Sequence, residues 1–130
     1  MDCLFCKIIK GEIPSFTIYE DEQVKVFLDI NPKTNGHALI VPKKHIVTIN
    51  DVDDKLAKHI VKVEKIIYQK LKEKLHIEGL TICQNNELGQ EVKHFHVHIT
   101  PRYQDDHWEM QFNQESLKAP EEIFKQITSE

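Results

Sequence analysis

Residues 94–100 read His-Phe-His-Val-His-Ile-Thr, a strict alternation of histidine with apolar residues. A period of two fits a β-strand and no helix, because a helix would scatter these positions around its circumference. The strand expected over 94–100, stopped by Pro101, therefore sends His94, His96 and His98 to one face and Phe95, Val97 and Ile99 toward the core. At about 3.3 Å per residue, His94 and His98 lie roughly 13 Å apart, too far for both to bind one metal at about 2.0 to 2.1 Å. A solvated strand face that is merely rich in histidine is the plain alternative. Three imidazoles on neighbouring same-face positions, after the polar loop 85–90, point instead to a nucleophile, a hydrogen-bonding neighbour and an orienting partner. A histidine nucleophile suits phosphorus chemistry, since neutral imidazole attacks in line and leaves when water follows.

The rest of the chain supplies a scaffold for such a strand. Residues 6–10 are expected to form a short helical turn ended by Gly11 and Pro14. β-Branched and aromatic residues mark strands over 16–19 and 24–28, and a turn-rich stretch over 31–36 leads to a strand over 37–41 closed by Pro42. From about 51 to 75, Leu56, Ile60, Val63, Ile67 and Leu71 recur three or four apart, which specifies one long amphipathic helix with Asp51 as its cap. A strand over 80–84 follows, and a terminal helix is expected over 120–127. These elements imply an α+β domain spanning residues 1–130: an antiparallel sheet with meander connections, one face covered by the long helix.

At 130 residues the chain can bury roughly two-thirds of its unfolded surface without help from disulfides. Its apolar runs are far shorter than the approximately 20 residues of a membrane span, and its start lacks a basic segment followed by a long apolar one. The expectation is a cytoplasmic protein with no membrane partner. Seventeen basic residues scattered among twenty-one acidic ones give no nucleic-acid surface, while leaving room for a small anionic substrate.

Three cysteines in such a chain do not suggest a disulfide framework. Cys3 and Cys6 have a spacing common in zinc sites but need two further ligands, and a redox CxxC pair would be expected after a strand, which is absent here. Cys83 reads as a small buried hydrophobe. His59 and His76 suit boundary positions at the long helix.

His94-Phe95-His96-Val97-His98-Ile99 resembles the motif of the histidine triad (HIT) family, with Gly89-Gln90-Glu91-Val92 where that family has its preceding glycine-glutamine turn. Upstream, Phe27-Leu28-Asp29-Ile30-Asn31-Pro32 and Gly36-His37-Ala38-Leu39-Ile40-Val41-Pro42-Lys43-Lys44-His45 resemble the family's nucleotide-binding strand pair. The resemblance covers about residues 3–103, leaves a variable C-terminal tail, and is nearest the compact bacterial branch related to purine nucleoside phosphoramidases.

The resemblance implies that His96 is the nucleophile, forming a covalent nucleotidyl-histidine intermediate on the α-phosphate of a purine nucleoside 5′-phosphoramidate or related conjugate. His98 would contact the phosphate and assist the leaving group, His94 would orient His96, and His37 would complete the site. Asp29 would accept hydrogen bonds from the ribose, Ile30 and Phe27 would contact the base, and Asn85, Gln90, Glu91 and Val92 would lie near the phosphate. Glu91 stands where many phosphoramidase-like members carry Ser or Thr, and Lys93 replaces a more usual aromatic residue; at a strand position it would face the same way as Phe95. Bacterial members also imply a structural zinc on Cys3, Cys6, His45 and His94, no catalytic metal, and a two-fold homodimer built on the long helix and an adjacent strand. His107 and Trp108 fall where relatives vary. Hydrolysis of dinucleoside polyphosphates, or a nucleotide-sensing scaffold, are the alternative functions.

Overall fold

The long helix is where sequence pattern and packing agree most fully. In the computed structural model, which describes residues 2–130, α2 spans Asp54–Leu75 and buries Ile60, Val63, Ile67 and Leu71, with Leu56 packed beside them. Its cap is Asp53, not Asp51: the Asp53 carboxylate accepts the Leu56 amide at 2.8 Å. Asp51 is engaged one turn earlier, where its carboxylate accepts the Val47 and Thr48 amides at 3.1 Å and closes the 3-10 turn Ile49–Asp51. Lys72 and Lys74 occupy the last turn, where their charge opposes the negative end of the helix dipole. His76 ends the helix with φ of 54°, and its amide bonds to the Lys72 carbonyl.

The other elements are α1 (Leu4–Ile9), β1 (Thr17–Glu20), β2 (Val24–Leu28), β3 (Ala38–Pro42), β4 (Gly79–Cys83), β5 (Val97–Arg102) and α3 (Pro120–Thr128). All strand pairs are antiparallel, in the order β1-β2-β3-β5-β4. The first three strands form the expected meander. The last two do not continue it, because β5 inserts between β3 and β4 and leaves β4 as an edge.

The expected strand over 94–100 begins three residues late and runs through Pro101. Pro101 pairs with Leu80 but lies beyond the end of the β3–β5 ladder, so its missing N–H costs nothing on that side. At the other end, the Phe95 amide donates to the Ile46 carbonyl at 2.7 Å instead of joining a ladder. That bond bends residues 94–96 out of the sheet.

Ala38, Ile40, Val97 and Ile99 pack toward α2, in one cluster with Val24, Val26 and Phe95. Leu39 and Val41 point the other way, into a smaller cluster with Phe27 and with Cys3, Phe5 and Ile8 of the N-terminal segment. Leu39 is paired with His98, so the histidine side of β5 is the side partly roofed by α1. The sheet thus carries a helix on each face, a long one beneath the core and a short one beside the histidines.

Gly36 sets the approach to β3. Its φ of +95° is costly for residues bearing a Cβ, and such an atom would sit 2.7 Å from Leu75 Cδ1 and 3.2 Å from Pro101 Cγ. Gly36→Ala is expected to cost at least roughly 1–2 kcal/mol in chemical denaturation, reading the backbone conformation alone; unchanged stability would show that the turn does not need its left-handed residue.

Candidate active site and metal centre

Two hydrogen bonds hold His37 at the start of β3: the Asp29 amide donates to its carbonyl at 2.9 Å, and its own amide donates to the Thr34 carbonyl at 3.1 Å. Its ring is buried. The Lys33 amide donates to His37 Nδ1 at 3.1 Å, and an amide can only donate, so the neutral ring carries its proton on Nε2. His37 Nε2–H then donates to His98 Nδ1 at 3.0 Å. This leaves the His98 proton on Nε2, away from His37. A backbone amide has fixed the tautomers of two rings in series.

His96 is set the opposite way. Its Nδ1–H donates to the His94 carbonyl at 2.7 Å, which leaves the lone pair on Nε2. The Phe5 ring stands edge-on at 5.0 Å between ring centroids, and the His98 ring lies 5.0 Å away on another side. The site therefore holds an imidazole nitrogen with a free lone pair beside an imidazole N–H donor. Burial, then the neighbouring His96 and His37, push His98 down to about 4, and burial also lowers His37 against the opposing pull of Asp29. Near neutral pH, His98 is an uncharged donor.

Asp29 Oδ2 stands 3.7 Å from His37 Nε2, while its other oxygen accepts the Asn31 amide at 2.9 Å. Ile30 projects from the same turn and is 80% exposed, available to an apolar ligand. Phe27 is not: it lies in the small core, edge-on to Phe5 at 5.6 Å. Its burial follows from α1 folding over that side of β2.

Residues 84–96 are organised by groups whose role the sequence did not reveal. The Gln90 side chain is buried, donates to the Val47 carbonyl at 2.7 Å and accepts the Glu87 amide at 3.1 Å. Its amide group is thus occupied in shaping the loop. Lys93 does not face the core beside Phe95; its ammonium donates to the carbonyls of Gln90 at 2.9 Å and Glu87 at 3.3 Å. Asn86 Oδ1 accepts the Ile49 amide at 2.8 Å, whereas Asn85 packs beside Gly89 with its side-chain amide unbonded among the described residues. Glu91 is exposed and Val92 leans on the small core.

The third triad histidine turns away from the other two. His94 is fully buried, and its Nε2–H donates to the Pro42 carbonyl at 2.7 Å, leaving a lone pair on Nδ1. That nitrogen lies 3.5 Å from Cys3 Sγ, 3.7 Å from Cys6 Sγ and 3.2 Å from His45 Nδ1, with Cys6 Sγ to His45 Nδ1 at 3.3 Å. A tetrahedral zinc with ordinary bond lengths requires edges of about 3.3 Å between two nitrogens and about 3.6 Å between sulfur and nitrogen. These four separations fit that polyhedron, all four ligand atoms lie within 4.8 Å of one another, and the Pro42 carbonyl supplies the outer partner that a metal-bound imidazole needs. The second group that converges, Asp29, His37 and His98, has the facing nitrogens of its two histidines engaged with each other.

Because folding holds His98 neutral down to about pH 4 and burial pushes His37 in the same direction, the unfolded chain binds more protons than the folded one as the pH falls below about 6.5. Their contribution is complete above pH 6.5 and is lost as the pH falls toward 4. The denaturation midpoint should drop across that window, and His98→Asn should flatten the slope by up to one proton, about 1.4 kcal/mol per pH unit. A variant with the wild-type slope would contradict the buried neutral ring.

A family model for the HIT domain matches residues 10–105. An uncharacterized HIT-like protein of Methanocaldococcus jannaschii is 44% identical over 128 residues, covering 96% of this chain and 98% of its own. An adenosine 5′-monophosphoramidase of Saccharomyces cerevisiae is 39% identical over 102 residues, covering 77% of this chain and 62% of its own. A crystal structure of a zinc-bound histidine triad family protein from Mycobacterium smegmatis superimposes with a TM-score of 0.79 at 35% identity, covering 88% of this chain and 84% of the other. With the rings of His37, His96 and His98 arranged as described, the match over most of its length places this chain in the histidine triad family.

Proposed function

We propose that this protein is a nucleotidyl hydrolase or transferase that cleaves purine nucleoside 5′-phosphoramidates or related conjugates through a nucleotide bound covalently to His96. The observation that carries the reading is the pairing of His96 Nε2, left with its lone pair by the His94 carbonyl, with the neutral N–H donor of His98. His96 Nε2 forms a bond to the α-phosphorus as the bond to the leaving group breaks. Charge then builds on the phosphoryl oxygens, where His98 Nε2–H donates. Being uncharged, His98 supplies a hydrogen bond to those oxygens, and the departing amine takes its proton from solvent, which regains one when water attacks in the second step. Water attacks the nucleotidyl-His96, releases a nucleoside monophosphate and restores the ring. His94 acts through its carbonyl and His37 through His98, as positioning residues.

Asp29 and Ile30 lie on one exposed turn beside His37, a position suited to a ribose diol and a base, and the unbonded amide of Asn85 suits a phosphate. Phe27 and Gln90 support these groups from within. Glu91 is exposed, so its backbone N–H can serve the phosphate while its carboxylate stays in water. The phosphoramidase of yeast carries the same family relationship to this reading.

Cys3, Cys6, His45 and His94 would hold a structural zinc, whose binding free energy becomes folding free energy and ties α1 to the sheet. The zinc-bound mycobacterial relative supports that assignment. Thiols stay reduced in the cytosol, which favours that compartment for thiolate ligands, and among the described residues no helix is long and apolar enough to cross a membrane. A homodimer through α2 and the open edge of β4 is favoured by the half-exposed Ile82 on that strand.

Release of nucleotide from adenosine 5′-phosphoramidate and diadenosine tetraphosphate, measured in parallel, tests the reaction. Preferred turnover of the phosphoramidate, reduced at least about a thousand-fold by His96→Ala, is expected. Preference for the tetraphosphate would assign a polyphosphate hydrolase, and no His96-dependent release from either would leave a nucleotide-sensing role. Metal analysis should find one zinc per chain, lost in Cys6→Ser together with thermal stability; wild-type protein that folds equally well without metal would overturn the structural role.

A further inference from the structure

The amide that sets the His37 ring belongs to a turn that burial does not hold. Asn31, Pro32, Lys33 and Asn35 are all exposed, yet the Lys33 amide is kept 3.1 Å from His37 Nδ1. Asp29 and His37 close the turn through their backbone bond. Among the described residues, only two hydrogen bonds tie residues 30–36 to anything beyond that closing pair. The Thr34 hydroxyl donates to the Pro101 carbonyl at 2.7 Å, and the Tyr103 hydroxyl donates to the Asn35 carbonyl at 2.7 Å. Thr34 is also joined directly to His37, whose amide donates to its carbonyl.

Both outside partners lie at the far end of β5, the strand that presents His98. Pro101 is fully buried, and Tyr103 packs against the main core. Asp106 steadies this end, because its carboxylate accepts the Tyr103 amide at 2.9 Å and Arg102 Nε at 2.7 Å. A closed circuit results. The end of β5 holds the turn, the turn places the Lys33 amide, the amide sets His37, and His37 sets the ring of His98 on β5 itself.

Opening the circuit changes the chemistry of the site. Without the Lys33 amide, His37 is free to carry its proton on Nδ1 and to accept at Nε2. His98 then donates from Nδ1 to His37, and its own Nε2 is left with a lone pair. An acceptor faces the phosphoryl oxygens where a donor is needed. Asp29 Oδ2 favours the present tautomer of His37, but at 3.7 Å it lies beyond hydrogen-bond reach.

We propose that the hydroxyls of Thr34 and Tyr103 are positioning groups for the reaction: by clasping the turn 30–36 to the end of β5, they keep the His37–His98 pair in the tautomer whose Nε2–H meets the phosphate. The effect of the clasp on rate rests on the proposed nucleotidyl transfer, whereas its effect on the rings does not.

The test compares wild type with Thr34→Val/Tyr103→Phe, which removes both hydroxyls and nearly keeps both shapes, and with Thr34→Ser, which restores the first donor. Long-range 1H–15N correlation at neutral pH should place the His37 and His98 protons on Nε2 in wild type and Thr34→Ser. In the double variant both rings should exchange between tautomers, while His96, held by the His94 carbonyl, keeps its proton on Nδ1. With adenosine 5′-phosphoramidate, kcat should fall about tenfold or more in the double variant with KM within about twofold, because the donor acts in the transition state. Unchanged tautomers alongside reduced stability would make the hydroxyls merely structural and overturn the proposal. A loss confined to KM, or altered tautomers with unchanged kcat, would overturn it too. If the double variant fails to fold, Tyr103→Phe alone, which keeps the packed ring, is read by the same criteria. A wild type without His96-dependent release would remove the proposed reaction, and altered tautomers in the double variant would still support the clasp.

Discussion

His94 makes three commitments at once, and the site depends on their being compatible. Its Nε2–H is held by the Pro42 carbonyl, its Nδ1 faces Cys3, Cys6 and His45, and its backbone carbonyl receives the proton of His96. Each alone is ordinary hydrogen bonding or metal-ligand chemistry. Together they make the orientation of the nucleophile a consequence of how the N-terminal segment is tied to the sheet. Disturbing Cys3 or Cys6 should therefore reach His96 through a single residue.

The topology makes this possible by placing β5 between β3 and β4. His98 then sits across from Leu39, beside the His37 that begins β3, and the two rings meet at hydrogen-bond distance. Had β4 followed β3 in a simple meander, an extra strand would have separated them. The helix on the opposite face contributes rigidity rather than chemistry, because its buried stripe fixes the Val97 and Ile99 side of the strand that presents His98.

Periodic features were legible in the sequence, and features set by distant backbone partners were not. The stripe from Leu56 to Leu71 identified α2 because burial repeats along it, while its cap fell on Asp53 since Asp51 was engaged by Val47 and Thr48. The alternation around His96 correctly divided core from histidine face, but it could not reveal that the Ile46 carbonyl captures the Phe95 amide and bends His94 toward the cysteines. The candidate metal ligands could be named through family resemblance, whereas their near-tetrahedral spacing required the fold. The family resemblance puts Phe27 against the base, and its burial depends on Phe5, a residue 22 positions away in the chain that only the fold brings beside it. Lys93 and Gln90 gave no local sign that their partners would be loop carbonyls.

Backbone groups fix the histidine tautomers before substrate arrives. Long-range 1H–15N correlation of the imidazole nitrogens at neutral pH reads this directly. His96 should be found with its proton on Nδ1, and His37, His94 and His98 with theirs on Nε2. A His96 ring protonated on Nε2, or exchanging freely between the two forms, would contradict the account.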